Sequence, residues 1–150
     1  MAIIRVQPGP FDLAAETGAL LAASTGIGGL GAFLGVVRND GIAALVLEHY
    51  PGMTERALAG IAAEAERRWD LLGCTVIHRV GRLEPGAPIV LVLAAAAHRH
   101  AALEATAFLI DWLKTKAPFW KKESFADGAE TWVEARAEDD LAAARWREGD

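Results

Sequence analysis

Cys74 is the only cysteine in the sequence. No intramolecular disulfide can form and a cysteine-rich zinc centre is excluded, which fits a reducing compartment. Basic charge is also scarce, since 15 Lys and Arg against 20 Asp and Glu leave a formal net charge of -5. A general nucleic-acid binder needs a basic excess to displace counterions from phosphates, so small-molecule or protein partners are expected instead. No apolar run is long: the longest, Pro88 to Ala97, falls well short of the roughly 20 residues that cross a bilayer as a helix. The opening Met1-Ala2-Ile3-Ile4-Arg5-Val6 has no basic region followed by an apolar core, so no secretion signal is read there. These absences point to a cytoplasmic protein without membrane association. No repeat, linker or low-complexity tract interrupts the 150 residues, and 53% hydrophobic content suits one cored domain over residues 1–150.

Strand and helix patterns alternate irregularly. A short strand is expected over Ala2 to Val6, ended by Pro8-Gly9-Pro10, then a helix from about Asp12 to Ser24. Gly31 to Arg38 and Ile42 to His49 flank Asn39-Asp40-Gly41 and read as an antiparallel hairpin. After Pro51-Gly52, Leu58, Ile61, Ala62, Ala65 and Trp69 recur at helical spacing. Cys74 to Val80 and Ile89 to Ala97 read as strands around the turn Glu84-Pro85-Gly86, the second buried on both faces. A further helix should begin near Ala101 and stop before Pro118, because proline disfavours helical geometry in the residue preceding it. Phe119 to Phe125 and Glu130 to Glu134 would pair around Asp127-Gly128, followed by a helix from about Asp139 to Trp146. The mixed order predicts an α+β fold.

One segment reverses the local charge. Between His98 and Lys122, the basic residues Arg99, Lys114, Lys116, Lys121 and Lys122 outnumber Glu104 and Asp111, and the last four surround Ala117-Pro118-Phe119-Trp120. Lysines at a helix C-terminus can simply complement its dipole, with Phe119 and Trp120 as ordinary core residues. Alternatively two amines converge; like charges then favour deprotonation of one, making it a base or nucleophile for an anionic ligand. His98-Arg99-His100, between a buried strand and a helix start, could hold a phosphate. Zinc is the rival there, without a third ligand at characteristic spacing, and a plain exposed loop is the other alternative. Gly26-Ile27-Gly28-Gly29-Leu30-Gly31 matches G-x-G-x-x-G, but helix precedes strand, the reverse of the dinucleotide-binding order, so these glycines read as a flexible connection. Cys74 is expected to be a buried neutral thiol, and His49 and His78, at apparent strand ends, to be structural.

Taken in order, Gly35-Val36-Val37-Arg38-Asn39, Leu47-Glu48-His49-Tyr50-Pro51-Gly52-Met53, Ile77-His78-Arg79-Val80-Gly81, Ala97-His98-Arg99, the run from Leu113 to Glu123, and Trp132-Val133-Glu134-Ala135-Arg136 resemble the molybdopterin synthase large (catalytic) subunit family over nearly the whole chain. The resemblance implies an alpha/beta hammerhead core with an additional antiparallel beta-rich portion. It implies a sulfurtransferase working as a homodimer that binds a small ubiquitin-like sulfur carrier at each end, a heterotetramer overall. The carrier would present a C-terminal Gly-Gly thiocarboxylate to cyclic pyranopterin monophosphate, forming the dithiolene of molybdopterin with no metal or other cofactor. By motif, Lys114 and Lys121 would be catalytic, and Arg38, His98, Arg99, Lys116 and Arg136 would bind substrate, some of them from the opposite protomer. The connection from Arg38 to Leu47 is shorter than the family's usual loop, and Lys116 stands where arginine is frequent, which keeps charge but forfeits bidentate geometry. A noncatalytic module that captures a ubiquitin-like tail or phosphorylated metabolite through the same basic surface is the competing class.

Overall fold

The computed structural model describes residues 2–133 and 137–147. Along the chain run β1 (Ile3–Gln7), α1 (Leu13–Leu21), β2 (Gly29–Val36), β3 (Ala44–His49), α2 (Met53–Trp69) and β4 (Gly73–Arg79). There follow β5 (Gly81–Leu83), β6 (Pro88–Ala96), α3 (Arg99–Lys116), β7 (Phe119–Ser124), β8 (Glu130–Trp132) and α4 (Ala137–Ala144). The strands form two sheets, ordered β1-β4-β6-β2 and β5-β3-β7-β8. Only β1 and β4 pair in parallel; the other neighbours are antiparallel. The α+β expectation is met.

β6 explains the first sheet's build. Its residues from Ile89 to Ala96 are all buried, so it needs a strand on each edge and cover on each face. Val90, Val92 and Ala94 join the main core with Leu58 and Ile61 of α2 and Phe108 and Leu109 of α3. Leu91, Leu93 and Ala95 point the other way, to Leu20 of α1. Asp12 caps α1, accepting from the Ala15 N–H at 3.1 Å, so this helix starts where the sequence indicated but ends three residues early.

The expected hairpin between Gly31–Arg38 and Ile42–His49 does not form. β2 lies against β6, from Gly29 opposite Ala96 to Val36 opposite Pro88, while β3 lies between β5 and β7 in the other sheet. Beyond β2 the chain is tied to the β5–β6 turn, with Val37 N–H donating to Ala87 O at 2.9 Å and Gly86 N–H to Val37 O at 2.7 Å. It then crosses to the second sheet, where Ala43 N–H donates to Ser124 O at 2.8 Å. β6 supplies a longer, fully apolar partner for β2 than β3 could, and that long-range pairing overrides the local turn signal.

The glycine-rich connection is not loose. A Cβ on Gly28 would lie 2.0 Å from Ala97 O, in the connection between β6 and α3, and one on Gly31 2.2 Å from Thr106 Oγ1, so Gly31 lets β2 press directly on the N-terminal half of α3. α3 begins at Arg99, two residues before the position the sequence suggested, and α4 sits two residues earlier than expected at each end.

Candidate active site

Two arms of one corner build the site. Pro118 excludes helical geometry at Ala117, whose ψ of 133° ends α3, and Phe119 N–H donates back to Ala117 O at 2.9 Å across the proline. Lys114 therefore stands in the last turn of α3, and β7 departs immediately after the corner. Strand alternation turns Phe119, Lys121 and Glu123 to one face of β7 and Trp120 and Lys122 to the other. Lys114, Phe119, Lys121 and Glu123 line a cleft of about 460 Å³, joined by Arg38 and Asp40 from the segment after β2. Val37, Ile42 and Ile89 give it an apolar floor, and Asp139 of α4 reaches its rim.

The four lysines thus divide into two pairs. Lys114 and Lys121 converge, whereas Lys116 lies over the Trp112 ring at 4.6 Å and lines no part of the cleft. Lys122 faces the far side of the sheet, 3.9 Å from Glu48 and 3.7 Å from Glu130, over Trp132. Among the described residues the cleft is formally balanced: Arg38, Lys114 and Lys121 oppose Asp40, Glu123 and Asp139. Arg38 and Asp40 form an exposed ion pair at 3.5 Å.

His98 and Arg99 do not enter this cleft. They are exposed at the opposite end of α3, with His98 as its N-cap and without a side-chain capping bond. An 18-residue helix measures about 27 Å, so a single chain holds two separate basic positions. Arg136 lies outside the described residues. Among the described residues no group of three or more His, Cys, Asp and Glu is arranged to hold a metal, and no helix is long and apolar enough to cross a membrane.

A family model described as MoaE protein matches residues 6–116. The chain belongs to the MoaE family. The molybdopterin synthase catalytic subunit of Pseudomonas aeruginosa is 56% identical over 149 residues, covering 97% of this chain and 99% of that one. A protein of the same name from Mesorhizobium japonicum is 52% identical, covering 96% of this chain and 92% of its own length. The solved molybdopterin biosynthesis MoaE protein from Burkholderia ambifaria superposes with a TM-score of 0.86 at 54% identity, covering 97% of this chain and 98% of that chain. Lys121 lies past the end of the matched family model, but the full-length relatives span it.

His78 is structural, as expected, and in this MoaE chain it supports a residue that lines the cleft. It is only 3% exposed, and its ring stacks on that of Phe119 with centroids 3.9 Å apart and planes at 22°. Its Nδ1–H donates to Arg79 O at 2.8 Å. Burial, helped by the charges of Lys114 and Lys121, pushes its pKa down to about 4, so the imidazole is neutral. His49, the register partner of Phe119 on β3, has its ring centroid 6.3 Å from that of Phe119 and its Nδ1 buried and, among the described residues, unpartnered. The only signal available was their neighbourhood in family motifs. Cys74 behaves as expected: burial, reinforced by the charge of Glu66, pushes its thiol up to about 12.

Proposed function

We propose that this MoaE chain is the catalytic subunit of a molybdopterin synthase, transferring sulfur from the thiocarboxylated Gly-Gly end of a small ubiquitin-like carrier to cyclic pyranopterin monophosphate. The convergence of Lys114 and Lys121 in one apolar-floored cleft carries this reading. The extended carrier tail enters between the two amines. One amine moves protons or holds a covalent intermediate, and the other stabilises developing oxyanions. A remotely anchored phosphate leaves binding energy to orient the reacting carbons against the sulfur. The enzyme works in the cytoplasm as one domain with a hammerhead core, needing no metal or other cofactor. A Helicobacter pylori structure described as a complex of subunits 1 and 2 of molybdopterin-converting factor has the same fold, with a TM-score of 0.76 at 22% identity.

The active site is composite, and the working assembly is a homodimer with one carrier at each end. The charge balance of the described cleft residues gives little attraction for a phosphate and a thiocarboxylate together, which favours further cations from a second protomer. β2 is an edge strand carrying Phe33, Leu34 and Val36 at 36%, 39% and 45% exposure. Its Gly29 end lies beside Arg99, where a Cβ would sit 3.3 Å from that residue's Cα, and its Val36 end lines the cleft. Antiparallel pairing of two such edges about a two-fold axis brings His98 and Arg99 of one protomer to Arg38, Lys114 and Lys121 of the other. By motif Arg136 is a further substrate-binding residue, and Lys116 adds long-range positive charge.

Complementation tests this reading. Arg99→Ala and Lys121→Ala homodimers should each be nearly inactive with thiocarboxylated carrier and cyclic pterin. Unfolded and refolded together in equal amounts, they should recover about a quarter of wild-type dithiolene formation, because half the dimers then hold one intact site. Full turnover by folded Lys121→Ala would refute the catalytic role of that amine. No recovery on mixing would refute the shared site.

A further inference from the structure

Lys114 and Lys121 stand on opposite arms of the Ala117–Phe119 corner, so their separation depends on how that corner is seated. The contact from Phe119 N–H to Ala117 O fixes the bend locally, but it does not say where the bend lies on the first sheet. That is decided by what the Phe119 ring rests upon. It rests on His78, face to face, and His78 in turn cannot shift, because β4 places it in register between Val6 of β1 and Val90 of β6. The bond from Nδ1–H to Arg79 O fixes the ring's rotation as well.

We propose that His78 is a positioning residue: its ring is the seat on which the Phe119 corner rests, and so sets the relative placement of Lys114 and Lys121. The inference rests on the catalytic assignment of those two lysines. An imidazole suits the place better than its neighbours in size. It is flat enough to stack, and it satisfies its own polar atom on the backbone of the next residue, so burial leaves no donor unmet at Nδ1. It also stays uncharged there, since burial disfavours the imidazolium and the charges of Lys114 and Lys121 oppose it further. His49, opposite Phe119 in the β3–β7 register with ring centroids 6.3 Å apart, is a second ring beside it.

His78→Ala and His78→Phe decide the matter, with His78→Leu replacing the alanine variant if that does not fold. In steady-state turnover with carrier and pterin, removing the ring should lower kcat by about 10- to 100-fold while KM for the pterin stays within about 3-fold, as displaced reacting groups would require. His78→Phe, which keeps the stack, should stay within about 3-fold of wild type. On separate samples with ¹³C-methylated lysines, the Lys114 and Lys121 NMR signals should move in the alanine or leucine variant and not in the phenylalanine variant. A folded ring-less variant with unchanged kcat and unmoved lysine signals overturns the proposal. So does a phenylalanine variant as impaired as the ring-less one. If Lys121→Ala proves fully active the catalytic assignment fails by itself, and the lysine signals still show whether His78 places those amines.

Discussion

Gly31 of β2 touches Thr106 of α3 so closely that a single added methyl group has no room: its Cβ would lie 2.2 Å from Thr106 Oγ1 and 2.5 Å from Ala102 O. Thr106 cannot rotate away at no cost, because its hydroxyl donates to Ala102 O at 2.7 Å. The second obstacle is backbone and does not yield at all.

Gly31→Ala should therefore destabilise the protein by about 2–3 kcal/mol, the cost of forcing β2 off α3. Gly18→Ala is the matched control, since nothing lies within 4 Å of a Cβ there and α1 gains helix propensity, about 0.5–1 kcal/mol in favour of folding. Urea midpoints of the two variants should move in opposite directions; a shift of the same sign in both would show that the β2–α3 contact is not tight.

Acid should weaken the fold through His78. Its folded pKa of about 4 lies below the ordinary value near 6.5, so between those values the unfolded chain binds a proton that the folded chain refuses. Stability contributed by this residue is complete above about pH 6.5, falls as the pH drops, and levels off below pH 4, a total of roughly 3 kcal/mol. Chemical denaturation at pH 7.5 and 5.0 should show wild type losing about 2 kcal/mol more than His78→Phe over that interval. Parallel pH curves for the two proteins would mean that His78 is protonated in the fold.

The helices and the corner between Lys114 and Lys121 were legible in the sequence because both are local. The spacing from Leu58 to Ala65 announced α2, and Pro118 alone fixes where α3 ends and the Lys114 and Lys121 arms diverge. Strand partners were not legible: alternation marks β2 and β3 as strands but does not say that β2 belongs with β6 across the chain. β5 escaped notice for the same reason, three residues whose only support is pairing with β3. Gly28, Gly29 and Gly31 looked loose because what they press against, Ala97 and the start of α3, is distant in sequence. His78 gave no sign of its place, since the ring it carries comes from β7.

The lysine pairs should separate in activity. Lys114→Ala should lower turnover by about 100-fold or more, the loss expected when a proton-transfer or oxyanion-stabilising group is removed. Lys122→Ala loses only partly screened contacts on the opposite sheet face and should stay within about 3-fold. Lys116→Met, which keeps an unbranched side chain near Trp112 without the charge, should also remain within about 3-fold. Rates measured at low and moderate salt decide this: a loss in Lys116→Met as deep as that of Lys114→Ala would place Lys116 at the reacting groups after all.

Trp146 is the last specific constraint on the cleft, although it lies away from it. Its Nε1–H donates to Asp111 Oδ2 at 2.6 Å, and its ring meets Trp69 and Phe108 edge-on, with centroids 5.6 Å and 5.9 Å apart. Trp112 Nε1–H adds a bond of 3.2 Å to Ala143 O, so α4 is fastened to α3 from both sides. Asp139, on the first turn of α4, is held at the cleft rim by that fastening. Trp146→Ala removes an aromatic anchor and leaves Asp111, among the described residues, with Arg145 at 3.0 Å, so a cost of about 2–3 kcal/mol is expected. Trp146→Phe keeps the ring contacts and gives up the Asp111 bond, and should cost about 1 kcal/mol. Because α4 carries only one rim residue, both variants should keep most of their turnover at temperatures where they remain folded. Comparing Tm with kcat at 20 °C separates the two effects, and a collapse of kcat in a fully folded Trp146→Phe would make α4 part of the reacting site instead of its outer wall.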